Sequence, residues 1–161
     1  MSVKVALATK AQEAELLDLW QLYMLELSEF RSSITAIDGR FRDDRLKTYF
    51  AYEDHWTFRI TQAGEVAGFA LLRKSQPDTY LLGEFFILRK FRGSGIASEV
   101  VKQLTSTFPG KWEIPFQAAN LKGAKFWRKT ISNLGFKSSE RSLPIEGQPD
   151  LPPDLWLSFT S

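Results

Sequence analysis

The run Tyr80-Leu81-Leu82-Gly83-Glu84-Phe85-Phe86-Ile87-Leu88, then Arg89-Lys90-Phe91-Arg92-Gly93-Ser94-Gly95, then Ile96-Ala97-Ser98-Glu99-Val100-Val101-Lys102-Gln103-Leu104, decides how this chain folds. The first part is apolar and strand-like, the second is a basic glycine turn, and the third opens an amphipathic helix. Gly93 and Gly95 let the backbone turn sharply and approach a ligand closely. The N–H groups that start the helix have no intrahelical acceptors and lie at the positive end of its dipole. Such a turn suits a phosphate, with Arg92 adding positive charge at its rim.

Outward from that turn the pattern alternates between strand and helix periods. Val3–Ala8 reads as a strand, and Thr9-Lys10-Ala11-Gln12 is a capping box that starts a helix. The apolar stripe of that helix runs Leu16, Trp20, Tyr23, Met24, Leu27 and ends near Phe30. Arg31–Arg42 is predicted to be a loop, and a short helix to start at Asp43 or Asp44. Trp56–Thr61 and Glu65–Lys74 read as strands joined at Gln62-Ala63-Gly64, and Pro77-Asp78 marks the next turn. Pro109-Gly110 ends the helix that opens at Ile96. Lys111–Gln117 is a further strand, Leu121–Leu134 a helix capped by Gly135, and Lys137–Leu143 is strand-like. Four of the seven prolines fall between Pro144 and Pro153, a connector before a last strand at Leu155–Phe159.

The order β-α-α-β-β-β-α-β-α-β-β predicts a mixed α/β domain over residues 1–161. Its sheet should be mostly antiparallel, of about seven strands, around one β-α-β crossover, and not doubly wound. At 161 residues the chain can bury a core, and its 13 Phe, 5 Trp and 4 Tyr fill one readily. The absence of cysteine excludes disulfides, thiolate metal sites and a cysteine nucleophile. A single histidine, His55, argues against a histidine metal site or a serine–histidine triad. A net charge of +2 with interspersed signs argues against nucleic acid. No signal peptide or membrane-spanning run is visible, so the expectation is a cytoplasmic protein without metal or membrane partner.

The glycine turn resembles the phosphate-binding signature of the GNAT superfamily of N-acetyltransferases. The family pattern, Gln or Arg, two residues, Gly, one residue, then Gly or Ala, is met by Arg92, Gly95 and Ala97. The element order resembles that fold over nearly the whole chain, and Asn120-Leu121-Lys122-Gly123-Ala124-Lys125-Phe126-Trp127 is similar to the family's second cofactor segment. The resemblance implies acetyl-CoA as donor, lying where the Glu84–Leu88 and Lys111–Gln117 strands splay apart. Main-chain groups around Phe86 and Ile87 would pair with the pantetheine arm. Backbone N–H groups of Gly93, Ser94, Gly95, Ile96, Ala97 and Ser98 would hold the pyrophosphate. Asn120 would bond the pantetheine, and Trp127 would pack near the thiol. The acceptor would be a small-molecule or peptide amine, and a homodimer stays open.

Two residues bear on the gap independently. Pro115 cannot donate to a strand ladder, and Gly83 permits a bulge in the preceding strand. Each also reads as a plain irregularity. For acetyl transfer, Glu84 is the candidate base and Glu113 the second, while a backbone N–H at the bulge, near Ile87, is the candidate oxyanion donor. Glu84 reads equally as a cross-strand ion-pair partner. Many family members place a tyrosine at the position of Trp127, whose indole cannot act as an acid at neutral pH. The thiolate would then leave unprotonated, or take a proton from water or from a tyrosine elsewhere, such as Tyr23.

Plain structural readings stand beside these. Asn120 could be a helix N-cap, Phe126 and Trp127 core, and Arg89, Lys90 and Arg92 a solvated charge cluster. Two other functions compete. Gly93-x-Gly95-x-x-Ser98 with Glu113 about twenty residues later imitates an NAD(P)-binding oxidoreductase fingerprint. A non-catalytic CoA-binding module of the same shape is the other. By analogy with the family, Leu16–Tyr52 should wall the acceptor side. There Glu26, Glu29, Asp38, Asp43 and Asp44 are offset by Arg31, Arg40, Arg42 and Arg45. A protein N-terminus, an amino acid, a polyamine and an aminoglycoside all stay open as acceptors.

Overall fold

The runs Ala67–Leu72, Leu81–Leu82 and Phe86–Ile87 bury apolar residues at successive positions, so this stretch becomes the middle of a sheet covered on both faces. The computed structural model describes residues 2–31 and 35–161. Its strands are β1 (Val3–Leu7), β2 (Ala36–Ile37), β3 (Arg40–Phe41), β4 (His55–Gln62), β5 (Glu65–Gln76), β6 (Thr79–Ile87), β7 (Lys111–Gln117), β8 (Ser138–Leu143) and β9 (Asp154–Thr160). The helices are α1 (Glu13–Leu27), α2 (Asp44–Ala51), α3 (Ile96–Thr107) and α4 (Leu121–Asn133). Seven strands form one sheet in the order β1-β4-β5-β6-β7-β9-β8. Only β6 and β7 run parallel, joined through α3; every other neighbouring pair is antiparallel.

The mixed, mostly antiparallel seven-stranded sheet is the one the sequence predicts. One face carries α3 and α4 over Leu72, Leu82, Val100, Leu104, Trp112 and Ile131. The other carries α1 and α2 over Phe69, Leu71 and Phe86, with Leu16, Trp20, Tyr23 and Leu46 packed on them. The capping box at Thr9 forms, its N–H donating to Gln12 Oε1 at 2.9 Å. It heads a short 3-10 turn, Lys10–Gln12, and α1 proper begins at Glu13.

The loop expectation for Arg31–Arg42 needs correction. Residues 32–34 lie outside the described residues, but Ala36–Phe41 is the β2–β3 hairpin. Its turn is Asp38-Gly39, with φ of 51° and 77°, a pairing whose left-handed dihedrals match the twist of two short strands. Gln21 ties this hairpin to α1, donating through Nε2 to Phe41 O at 2.9 Å and accepting from Phe41 N at 2.7 Å.

The feature that positions the site is in β6. Leu71 lies opposite Glu84 while the next residue, Leu72, lies opposite Leu82, so Gly83 is an extra residue, a bulge. A bulge reverses the alternation of side chains. Leu82 faces the α3/α4 core, yet Phe86, at an even spacing from it, faces α1 and α2. Glu84 therefore shares the face of Phe86 and points at α1 and α2. Beyond the bulge β6 also loses β7: their pairing covers only Thr79 to Leu81 against Lys111 to Glu113.

Close approach is built in at a second glycine. A Cβ at Gly68 in β5 would lie 1.9 Å from the carbonyl oxygen of Phe86. Gly68→Ala must push β5 away from β6 and is expected to lower stability by about 1–3 kcal/mol. A urea melt reads this, and an unchanged midpoint would contradict the packing.

Candidate active site

Past Leu81 the strands β6 and β7 diverge, and β7 continues paired only with β9, Pro115 lying opposite Trp156. Both the bulge expected at Gly83 and the parting next to Pro115 are present. A cleft of about 1500 Å³ runs through the parting, lined from Tyr23, Arg45 and Tyr49 on one side to Gly93, Asn120 and Trp127 on the other. Leu88 N–H donates to Ala67 O at 2.8 Å, so strand alternation turns the Ile87 N–H the other way, into the gap. The Ile87 N–H thus lies in regular strand, four residues after the bulge and not at it. Phe86 turns its backbone toward Gly68 of β5, and its ring packs under Tyr23. The gap-facing main chain is that of Ile87 and, by the same alternation, Phe85.

Glu84 sits at the floor of the cleft, only 9% exposed. The Tyr23 hydroxyl donates to Glu84 Oε2, and Arg45 Nη2 lies 3.3 Å from Oε1. Burial pushes the Glu84 carboxyl above its usual range, against the pull of Arg45 and the Tyr23 hydrogen bond. Burial, and then the neighbouring Glu84 charge, hold the Tyr23 hydroxyl well above an ordinary phenol. Tyr49 is pushed up to about 12 by the same two causes. Both phenols are therefore fixed donors at neutral pH, and Glu84 is the cleft carboxyl whose hold on a proton burial strengthens.

The glycine turn has the backbone that the sequence predicts. Gly93 and Gly95 both take left-handed φ, 82° and 81°, and Gly95 is the N-cap of α3. A Cβ at Gly93 would meet nothing within 4 Å, so the space beside the turn is open. Ser94 Oγ bonds back to Phe91 O at 2.9 Å and braces the loop.

Arg92, expected as a charge at the rim for phosphate, is engaged with protein groups. Its Nε donates to Ile87 O at 2.7 Å, and its Nη1 and Nη2 donate to the Glu26 carboxylate at 3.1 and 2.8 Å. Arg89 joins the same carboxylate at 3.1 Å. The Arg92 hydrogen bonds first, and those of Arg89 after them, hold Glu26 below its usual range despite partial burial. Arg92 is a strut between the turn, the end of β6 and the last turn of α1.

Asn120 is the N-cap of α4, its Oδ1 accepting from Gly123 N at 2.9 Å. Trp127 is core, 7% exposed, with ring centroids 5.1 Å from Phe85 and 4.9 Å from Phe126. Both line the cleft as well. Glu113 does not: its carboxylate accepts from Arg141 Nη2 at 2.7 Å outside the cleft, which removes it as a second base. Arg45 was read only as one of several charges on the acceptor-side wall, and Tyr49 and Arg73 were not singled out for the site, though a charged residue following the apolar run of a central strand, as Arg73 does, is a visible signal.

The family sequence profile described as Acetyltransferase (GNAT) family matches residues 14–130, which spans the parting strands, the glycine turn and most of α4. The chain belongs to the GNAT acetyltransferase family. Solved structures agree on the fold across the whole chain. An acetyltransferase from Thermus thermophilus is 15% identical with a TM-score of 0.71, covering 100% of this chain and 98% of that one. An aminoglycoside acetyltransferase in complex with coenzyme A is 17% identical with a TM-score of 0.69, covering 99% and 95%. A GNAT family acetyltransferase from Elizabethkingia anophelis with acetyl-CoA bound is 14% identical with a TM-score of 0.64, covering 99% and 99%. No curated protein matches the sequence.

Membership in this family removes the oxidoreductase reading. No helix among the described residues is long and apolar enough to cross a membrane.

The raised carboxyl at Glu84 makes stability fall with pH. Between the ordinary carboxylate range and its raised native value, the unfolded chain has lost this proton while the native chain keeps it. Native stability therefore declines as pH rises through that window and stays lower above it. Glu84→Gln, whose amide oxygen still accepts from Tyr23, is expected to flatten that decline. Urea midpoints of both proteins from mildly acidic to neutral pH measure it; parallel profiles would refute it.

Proposed function

We propose that this GNAT acetyltransferase moves the acetyl group of acetyl-CoA directly to a primary amine, with Glu84 as the proton acceptor. One observation carries the reading. A buried carboxyl and an outward-facing Ile87 N–H meet at the same parting of strands, which opens toward a left-handed glycine turn at a helix N-terminus. Acetyl-CoA supplies an activated thioester carbonyl and a pyrophosphate. The free N–H groups from Gly93 to Ser98 suit that pyrophosphate, because the first turn of α3 points unpaired donors along its dipole. Past the bulge β6 has no partner strand on the β7 side. The Ile87 N–H and Phe85 carbonyl offer a donor and an acceptor to the pantetheine arm as a neighbouring strand would, the Ile87 carbonyl already accepting from Arg92. Asn120 and Trp127, both on the cleft wall, are the candidate contacts further along that arm.

In this reading Glu84 takes the proton of the incoming ammonium, and the free amine forms its nitrogen–carbon bond as the carbon–sulfur bond breaks. The second N–H proton of the adduct passes, directly or through water, to the departing thiolate. The Ile87 N–H lies where it can donate to the carbonyl oxygen as negative charge gathers there. Burial makes Glu84 a stronger base than an ordinary carboxylate, while Arg45 and Tyr23 keep its charged form tolerable. Trp127 cannot release a proton, so the thiolate leaves without a residue-borne acid at that position. Arg92 contributes by holding the turn in place and not by touching phosphate.

Two variants test separate halves. Gly95→Glu is expected to abolish acetyl-CoA binding in calorimetry while the near-ultraviolet circular dichroism keeps its native form. Undiminished affinity would remove the turn from the site. Glu84→Gln is expected to lose about 10²–10⁴ in turnover, the usual worth of general base catalysis, with acetyl-CoA affinity kept. Turnover at the original rate across pH would remove Glu84 from the mechanism.

A further inference from the structure

On the face of the sheet that bears Glu84, β5 places Phe69, Leu71 and then Arg73 at the two-residue repeat. Leu71 is the partner of Glu84, so Arg73 stands roughly 7 Å along the strand from the candidate base. The bulge at Gly83 leaves room between them, and Tyr49 fills it: its hydroxyl lies 2.5 Å from where a Cβ at Gly83 would be. Tyr49 also packs on His55, with centroids 5.0 Å apart. All four of these side chains, with Arg45, line one end of the cleft.

The charges at that end do not balance. Glu84 is matched by Arg45, and Asp44 by Arg42 at 3.1 Å. Glu26 and Asp154, also on the lining, are matched by Arg92 at 2.8 Å and Arg31 at 2.5 Å. Glu29 also lines the cleft, past the end of α1, where it borders a smaller hollow with Gln117 and Pro152 that Arg73 does not line. Arg73 has no carboxylate partner among the described residues; its guanidinium donates a hydrogen bond to the Tyr49 hydroxyl and is half-buried in the cleft wall. Arg45 spends only one Nη2 contact on Glu84, with its guanidinium 5.3 Å over the Trp20 ring, and its side chain remains 48% exposed. A half-buried guanidinium without a counter-ion is costly unless a ligand supplies one, and its planar fork suits a carboxylate. Arg73 and the open side of Arg45, next to the candidate base, together suit a carboxylate.

Resting on the acetyl-transfer reading above, we propose that the acceptor is a small amine that also carries a carboxylate, of the amino-acid type. Its carboxylate is received by Arg73 with the exposed side of Arg45, and its amine is thereby set against Glu84. Arg73 is a specificity-determining residue that distinguishes this acceptor from polyamines and from amines without an acid group.

The test compares kcat/KM for L-amino acids, the matching amino-acid amides and the matching decarboxylated amines, all with acetyl-CoA. The acids are expected to exceed both other series by about 10- to 100-fold, the worth of a charged hydrogen bond. Arg73→Gln is expected to raise KM for the acids by that factor with kcat little changed, and to leave the amides as they were. Arg73→Lys should restore part of the preference. Amides or decarboxylated amines used as well as the acids, an acid preference unchanged in Arg73→Gln, or no acetylation of any acceptor overturns the inference. The comparison of acceptors in the wild-type protein stands whether or not the variants fold. Calorimetry with acetyl-CoA alone separates the two levels: binding kept while carboxylate-free amines are preferred overturns only this inference. Absence of acetyl-CoA binding overturns the transfer reading and this inference with it.

Discussion

The structure turns on one extra residue in a central strand. A glycine at position 83 lets β6 carry a bulge between Leu82 and Glu84, and the bulge does two things at once. It ends the pairing of β6 with β7 after Leu81, which opens the cleft. It also reverses side-chain alternation, so that Glu84 leaves the α3/α4 core and faces Tyr23 and Arg45 on the opposite side. An unbroken β6 would bury that carboxylate among Leu82, Val100 and Ile114 with no cation in reach. Cleft and candidate base are thus products of a single local geometry, and neither arises without the other.

Keeping Glu84 there costs stability, and its surroundings show how the cost is contained. A buried carboxylate needs partners for both oxygens, and it has one from α1 and one from α2. Tyr23 is itself wedged by Trp20, Phe69 and Phe86, so the hydroxyl cannot swing away when the charge on Glu84 changes. The network is held by helices that pack on the same face of the sheet.

Most of the fold was legible because its signals are local. Alternation marked the strands, the Thr9 box marked the start of α1, and Gly93-Ser94-Gly95 before an amphipathic run marked the turn. Gly83 and Pro115 were readable as disruptions, since each breaks a rule of strand composition. The β2–β3 hairpin was missed although Asp38-Gly39 is a strong hairpin turn, because its strands are only two residues each and carry little periodicity. The site was legible only in part. Glu84 stood out by its position, but the partners that set its charge lie far away in sequence, Tyr23 on α1 and Arg45 on α2. Arg92 looked like a phosphate ligand by its place in the motif; only the packing of α1 brings Glu26 to it. Long-range pairing of charges follows from tertiary geometry, which no local pattern records.

Arg92 joins Ile87 O to Glu26, and Arg89 reinforces the same carboxylate. The end of β6, the glycine turn and the last turn of α1 are therefore one rigid block, stiff before any ligand arrives. The β2–β3 hairpin is held on α1 differently, through the Gln21 bonds to Phe41 and the Trp20 indole bond to Arg42 O at 2.8 Å. All of those bonds leave from the middle of α1, none from the block. The hairpin side of the cleft is thus anchored independently of the block beside the glycine turn. The two walls are tied down by separate sets of bonds, so substitutions in one can reshape it without loosening the other.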